Sequence, residues 1–543
     1  MQKLWSKNYV VFILGLMYVA TLSINLTKAV QIDDTAYLEV ARAVIHNPLH
    51  PLSQTINWHN TQEPIFTINQ PPFLSYFLAL ILVVGGGSEL VLHLAWSIFS
   101  LAAIVAFYLL AEPSSRPTAM FLTGLFVLSP GFMPGQNLMF DIPLMAVWLL
   151  FFLALLSARS DPGGRKYFLA ACCMTIALLI KYSSLVLPCV FIITVLYRRD
   201  WKALAYLALP FGALALWSIS NYFDYGAIHI LGRTINPGAP VFALMKRFIA
   251  ITAGLGLVSP FAALFMMQKR PGRTQISWLC GAALLGLAVF FLAIRDDQSK
   301  TTAAMWALLC FAGSFAFFFL PYSLYKGMRV IDSEQRRQAS DRNLVLGLWV
   351  VGTSAFLVLF ASDLSIRHIF MMLPPILLWI GGYLENHGTH APTQVIVLVL
   401  TAALALSISI SDYDYAGIYR DAATLIKSSF PQRTRLWQLG HWGWQWYAMK
   451  QGMLQYDTVT TRLQPGDYLV IPAGVDQQQI TDSDGSRLQD FETIQVAAPA
   501  ATWIRTMYPY QVGGYYSFNF PTVLPIEYSR EPFTFTIKRV TEK

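Results

Sequence analysis

Pro71-Pro-Phe-Leu-Ser-Tyr-Phe-Leu-Ala-Leu-Ile-Leu-Val-Val-Gly-Gly-Gly87 is apolar, opens on a double proline and is short for a spanning helix, which needs roughly 20 residues. Whether it crosses the bilayer sets the side on which every later loop emerges. Longer apolar runs recur at approximately 8–28, 88–111, 117–133, 142–158, 167–180, 183–197, 203–220, 244–267, 275–294, 301–322, 343–360, 368–384 and 393–410. These predict about thirteen spans, the shorter ones tilted or flanked by polar residues drawn inward. With Pro71–Gly87 laid in the interface, the segments 1–8, 112–117, 159–166, 198–202, 268–273, 323–342 and 385–393 share one side and hold most of the Lys and Arg found between the spans. Counting it as a span puts Arg198-Arg199, Lys269-Arg270 and the basic 323–342 loop on the other side, against the positive-inside rule. The N-terminus is therefore expected in the cytoplasm and the C-terminus outside.

Composition agrees with a lipid solvent. The 543 residues are 55% hydrophobic and only 13% charged, with a mean hydropathy of +0.49. Lys3 and Lys7 ahead of the apolar stretch Tyr9–Ile24 resemble a signal peptide, but the many later spans make this a retained anchor. The net charge of +8 needs no nucleic acid partner. Cys172, Cys173, Cys189, Cys280 and Cys310 lie in apolar runs and form no CxxC pair, which excludes a disulfide framework and argues against a zinc or iron–sulfur site.

Two regions outside the bilayer are large: a first external loop, 29–87, and a domain from 411 to 543, after a membrane domain of 1–410. The second gains Asp, Gln and Thr. Its Gln464-Pro-Gly-Asp-Tyr-Leu-Val-Ile-Pro reads as a turn and strand, and Phe533-Thr-Phe-Thr-Ile-Lys-Arg-Val alternates as a half-buried strand does. The expectation is an all-α polytopic membrane protein carrying a small soluble α/β domain.

Charges that break the pattern mark candidate chemistry. Asp33-Asp34-Thr-Ala-Tyr37-Leu-Glu39-Val-Ala-Arg42 follows the first span, Asp33 placed as a helix N-cap and Leu38, Ala41 and Ile45 on one face of a surface helix. A capping acid is the bland reading of Asp33; a second acid beside it favours a base, since neighbouring negative charge raises a carboxylate's pKa. Asn69 and Gln70 precede the rigid proline pair, which either fixes them to orient a headgroup or only redirects the chain. Asp141 sits at the same external face with no cation beside it in sequence. Lys181, followed by Tyr182, and Arg367-His368 are cations on the side where cations are scarce. They either reach toward lipid headgroups or bind a phosphate. His46, His50, His59 and Glu63 share the first loop at no common ligand spacing, so no metal and no cofactor are assigned. The aromatic run Leu436–Tyr447 is read as core or membrane seating in preference to a sugar platform.

At these residues the chain resembles the GT-C membrane glycosyltransferases, in particular the protein-mannosyltransferase-like group that includes bacterial aminoarabinose transferases. The resemblance lies in the order of Asp33-Asp34-Thr-Ala-Tyr37, Asn69-Gln70-Pro71-Pro72, Asp141, Lys181-Tyr182, and Arg367-His368 ahead of Pro374-Pro375. It covers roughly the first 410 residues. One departure is Gln70, where that group commonly has Lys.

The resemblance implies a GT-C fold and transfer of a sugar from a polyprenyl-phosphate donor to a glycolipid, polysaccharide or protein acceptor. It also implies a bacterial inner membrane, with the C-terminal domain in the periplasm among membrane lipids. In that scheme Asp33 is the base for an inverting displacement, assisted by Asp34 and Asp141. Tyr37, Asn69, Gln70, Lys181, Tyr182, Arg367 and His368 bind donor phosphate or substrate. A secondary transporter and a non-catalytic protein that binds the lipid carrier are the alternatives. No internal repeat and no midplane charges support the former.

Overall fold

The computed structural model describes residues 7–68, 70–161, 163–232, 240–266, 273–328, 333–387, 391–497, 504–508 and 513–542. Lys3, Asn69, Arg233 and the Lys269-Arg270 pair lie outside the described residues. The architecture is mostly helical with a small sheet at the C-terminus. Among the described residues nine helices are long and apolar enough to cross a membrane, from Asn8–Asn25 to Ala391–Ser428. Phe73–Gly85, Asp141–Ser157 and Tyr182–Arg198 are apolar but shorter.

Burial around the helices explains their uniform hydropathy. Asp141–Ser157 buries residues on every side, as in a helix at the centre of a bundle, and so has no polar face. Close crossings use small residues: a side chain on Gly256 would collide with the Leu309 carbonyl oxygen, and one on Gly313 with that of Thr252. The helices Val241–Val258 and Lys300–Met328 therefore touch backbone to backbone, the usual way helices gain packing in lipid.

The two ends of the bundle are chemically distinct. At one end Arg198 forks onto Asp341 through Nε (2.7 Å) and Nη2 (2.6 Å), Arg342 donates to the Leu110 carbonyl (3.4 Å), and Glu385 accepts from the Ser115 N–H (2.5 Å). These segments are the ones the charge count placed on a common side. The other end carries the first loop, the residues around Asp141, Lys181 and Arg367, and the sheet.

The helix Asp34–His46 forms where expected, but it is not a surface helix with one apolar face. Leu38, Val40, Ala41, Ala43 and Val44 are all buried while Ile45 is 43% exposed, because the helix is covered by Phe73–Gly85 on one side and by the helix Trp442–Lys450 on another. Phe73–Gly85 turns the apolar side chains Phe73, Leu80, Val83 and Val84 outward.

The last helix runs unbroken over Ala391–Ser428, well past the apolar run that ends near 410. Beyond it five strands pair in the order Leu454–Gln455, Leu436–Gln438, Tyr468–Pro472, Phe533–Val540, Leu488–Val496, the first three parallel and the last two antiparallel to their neighbours. Phe533, Phe535 and Ile537 alternate inward as their spacing predicts, with Phe533 and Phe535 against Tyr415 and Tyr419 of the long helix. Between the two longest strands the chain leaves the sheet and reaches the membrane helices. Trp306 Nε1 donates to the Pro521 carbonyl (2.9 Å), Ile366 N–H to that of Tyr515 (3.1 Å), and Tyr515 Oη to that of Pro130 (2.8 Å).

Candidate active site

Four segments far apart in sequence meet in one cavity of about 290 Å³. Asp33 enters from the residue before the helix Asp34–His46, Asp141 from the first position of its helix, Lys181 from the break after Arg165–Ile180, and Arg367 from the short helix Ile366–Ile369. Each is a polar residue at the end of an apolar helix, where the backbone changes direction and a charge escapes the hydrocarbon.

Arg367 ties the acids together. Its Nη2 lies 2.6 Å from Asp33 Oδ2, its Nε 3.7 Å from Asp141 Oδ2, and its Nη1 donates to Met139 Sδ at 2.6 Å. Lys181 Nζ reaches Asp141 Oδ1 at 2.8 Å. The side chains of Asp141, Lys181 and Arg367 are 7%, 12% and 11% exposed, whereas Asp33 is 30% exposed, so Asp33 is the carboxylate an incoming group can reach. Its placement corrects the capping expectation: Asp33 precedes the helix, but its side chain makes no cap hydrogen bond and turns to Arg367.

Polar atoms without a hydrogen bond belong to residues of the same lining. Among the described residues, Asp141 Oδ2, His368 Nδ1 and Thr353 Oγ1 have no hydrogen-bond partner, the sort of buried atoms that a bound polar group satisfies. The rest of the lining includes the apolar side chains Leu144, Trp148, Val186, Phe356 and Leu357. Lys181 and Arg367 thus share a cavity with hydrocarbon side chains.

The other expected residues divide. Tyr37, Gln70, Tyr182 and His368 line the cavity. Tyr37 stacks on Phe140 with ring centroids 3.9 Å apart, and Tyr182 Oη meets His229 Nδ1 (2.8 Å) and accepts from Trp217 Nε1 (3.0 Å). Asp34 does not line it; it is buried beneath, accepting the Gln31 N–H at 3.2 Å. Burial pushes its carboxyl up to about 8, against the lowering effect of that hydrogen bond and of Lys28. A largely neutral acid supports the loop and offers no charge to the cavity.

Asp363 is a lining residue that sequence reasoning passed over, although it stands four positions before Arg367. Burial works against its charge, but His368 and Arg367 hold its carboxyl below the usual range. A second missed group lies under the first loop. Lys28 Nζ and Asp412 Oδ2 are 2.5 Å apart and fully buried, with Gln31, Asn137 and Tyr516 completing the hydrogen bonds. No group of three or more His, Cys, Asp and Glu positioned to hold a metal occurs among the described residues; His59 pairs with Glu63 (2.6 Å) and His50 with Asp224 (3.2 Å).

Residues 69–223 match the family described as dolichyl-phosphate-mannose-protein mannosyltransferase. That stretch contains the double proline, Asp141, Lys181 and Tyr182, so the resemblance to the GT-C glycosyltransferases holds over the segment that supplies much of the cavity. No curated protein matches the chain. Among solved structures it is similar to the archaeal oligosaccharyltransferase AglB from Archaeoglobus fulgidus in complex with an inhibitory peptide and a dolichol-phosphate. The identity is 13%, over 86% of this chain and 70% of that one, with a TM-score of 0.48. It is also similar to ArnT from Cupriavidus metallidurans bound to undecaprenyl phosphate, at 14% identity over 86% and 93% of the two chains and a TM-score of 0.41.

Proposed function

We propose that the chain is a glycosyltransferase of the external membrane face, moving a sugar from a polyprenyl-phosphate carrier to an acceptor hydroxyl or amine by inverting displacement. The observation that carries this is the convergence of Asp33, Asp141, Lys181 and Arg367 on one cavity with an apolar wall. A lipid-linked donor arrives in the plane of the bilayer, its isoprenoid against that wall and its phosphate at Lys181 and Arg367. Gln70 is the neutral hydrogen-bonding group at the same phosphate, with Tyr37, Tyr182 and His368 around the sugar.

Asp33 takes the proton of the acceptor nucleophile, whose lone pair forms the new bond at the anomeric carbon from the face opposite the phosphate. The bond from that carbon to the phosphate oxygen breaks, and its electron pair leaves on the polyprenyl phosphate. The two cations stabilise the charge that develops there. Asp141 holds both cations in register, and an arriving phosphate competes with the carboxylates for Arg367, loosening its grip on Asp33 as the nucleophile enters. The setting is a bacterial inner membrane with the sheet domain in the periplasm.

The test is to incubate the purified protein with defined polyprenyl-phosphate sugars and score free lipid phosphate. Asp33→Asn should fold normally and lose on the order of 10²–10⁴ in turnover, the usual contribution of a general base. Full activity in that variant refutes the assignment; tight lipid binding with no sugar release from any donor refutes catalysis and leaves a carrier-binding protein.

A further inference from the structure

A second cavity, of about 210 Å³, backs onto the first, and Asp33, Asp363 and Arg367 belong to both linings. Its far wall comes from the C-terminal domain, through Trp442, Gly474, Met507 and Tyr516. The Asp33–Arg367 pair therefore stands as a partition: Lys181, Asp141 and the hydrocarbon side chains on one side, Trp442, Tyr516 and Ser517 on the other. We propose that this second cavity binds a carbohydrate portion of the acceptor, with Trp442 as its stacking platform; the inference rests on the transferase reading above.

The backbone at Trp442 is the first support. Its φ of +65° lies in the left-handed region, which a bulky residue occupies only when its surroundings over-determine it. Those surroundings are visible. The Trp442 carbonyl accepts from Thr35 Oγ1 at 2.7 Å, two residues beyond Asp33, and Gly443 is pressed so close to the first loop that a side chain there would collide with the Val30 carbonyl oxygen. The start of the helix Trp442–Lys450 is thus fastened onto the segment that delivers Asp33. Within the aromatic run, Trp444, Trp446 and Tyr447 are buried in the core, while Trp442 is partly exposed and lines the cavity.

The chemistry of the lining selects the ligand class. An indole face suits the C–H face of a sugar ring. Asp33 and Asp363 are acceptors for hydroxyl donors. Arg367, the one cation among the described residues of this lining, is already engaged by Asp33, whereas the first cavity adds Lys181 with its partner Asp141 and a hydrocarbon wall. The hydrocarbon wall beside Lys181 suits a lipid-linked phosphate, whereas the second lining, with Trp442, the Ser517 hydroxyl and two acids, suits a neutral polyhydroxylated ring.

The experiment is saturation-transfer NMR on the full chain in detergent with chitotriose and maltotriose, beside a Ser/Thr-containing hexapeptide, with undecaprenyl phosphate binding measured on the same samples. Wild type should receive saturation onto a saccharide, Trp442→Ala should weaken that binding about tenfold, and Trp442→Phe should restore most of it, all three binding undecaprenyl phosphate alike. Saccharide binding indifferent to Trp442→Ala, no saccharide binding by wild type, or binding of the peptide in place of the saccharides overturns the proposal. Loss of undecaprenyl phosphate binding in wild type overturns the donor reading instead, and the saccharide result is then judged on its own.

Discussion

Arg367 serves two carboxylates with one guanidinium, and its planar fork is what lets it do so: Nη2 takes Asp33 while Nε faces Asp141. A lysine there supplies one point of charge and cannot span both. Arg367→Lys is accordingly expected to keep the fold but to weaken undecaprenyl phosphate binding and lower sugar release by roughly the 10²-fold typical of losing one positioned electrostatic donor; lipid-phosphate release kinetics check both. Asp34 gives a pH signature. Its folded-state pKa, about 8, lies above the ordinary 3.8, so its contribution to stability is full below 3.8 and declines as pH rises through about 8. Between those limits the melting temperature of wild type in detergent should fall with pH, and in Asp34→Asn that slope should flatten; an unchanged slope assigns the titration elsewhere.

At the scale of elements, Lys28 and Asp412 join the end of the first helix to the middle of the last. Neither has access to water, so removing one partner strands a buried charge. Asp412→Asn should cost about 3–5 kcal/mol in thermal unfolding, and the double change Lys28→Met with Asp412→Leu should recover most of it.

This pair also shows where sequence reading stops. Asp33, Asp141, Lys181 and Arg367 were legible because each is a charge at the end of an apolar run, a local anomaly that needs no partner to be noticed. Lys28 looked like any loop cation and Asp412 like part of the start of a soluble domain, since their meaning lies in a contact across the fold and in a helix that outlasts its hydrophobic stretch. Tyr516, which hydrogen-bonds Asp412 at 2.6 Å, stood in a segment with no periodic signal at all. The helices were legible as apolar runs and the Phe533–Val540 strand as an alternation, both local signals; the burial of Asp34–His46 on a second side was not, because the helix Trp442–Lys450 that covers it comes from about 400 residues later in the chain.

For the whole molecule, the first loop and the C-terminal domain are built as one piece. Asp457 accepts from Thr61 Oγ1 and the Gln62 N–H, both at 2.8 Å, and His441 Nε2 meets the His59 carbonyl at 2.8 Å. Burial acts to raise the Asp457 carboxyl, yet hydrogen bonds led by the Thr460 N–H hold it at about 2, so this joint stays charged at physiological pH. Deleting residues 429–543 removes Tyr516 from the buried pair and the sheet from the aromatic face of the last helix. The truncated protein is expected to elute as aggregate in size-exclusion chromatography; a monodisperse, heat-stable product shows the membrane part to be self-sufficient.

The unbroken helix Ala391–Ser428 has a mechanical consequence. At 1.5 Å per residue its 38 residues form a rod of about 57 Å, nearly twice the roughly 30 Å hydrocarbon thickness. A mast of that kind, with no hinge at the waterline, keeps the sheet from tilting away to admit a substrate. Traffic must then come sideways, past the short elements between the mast and the lipid, and labels placed on the sheet and the bundle should hold a fixed separation throughout turnover.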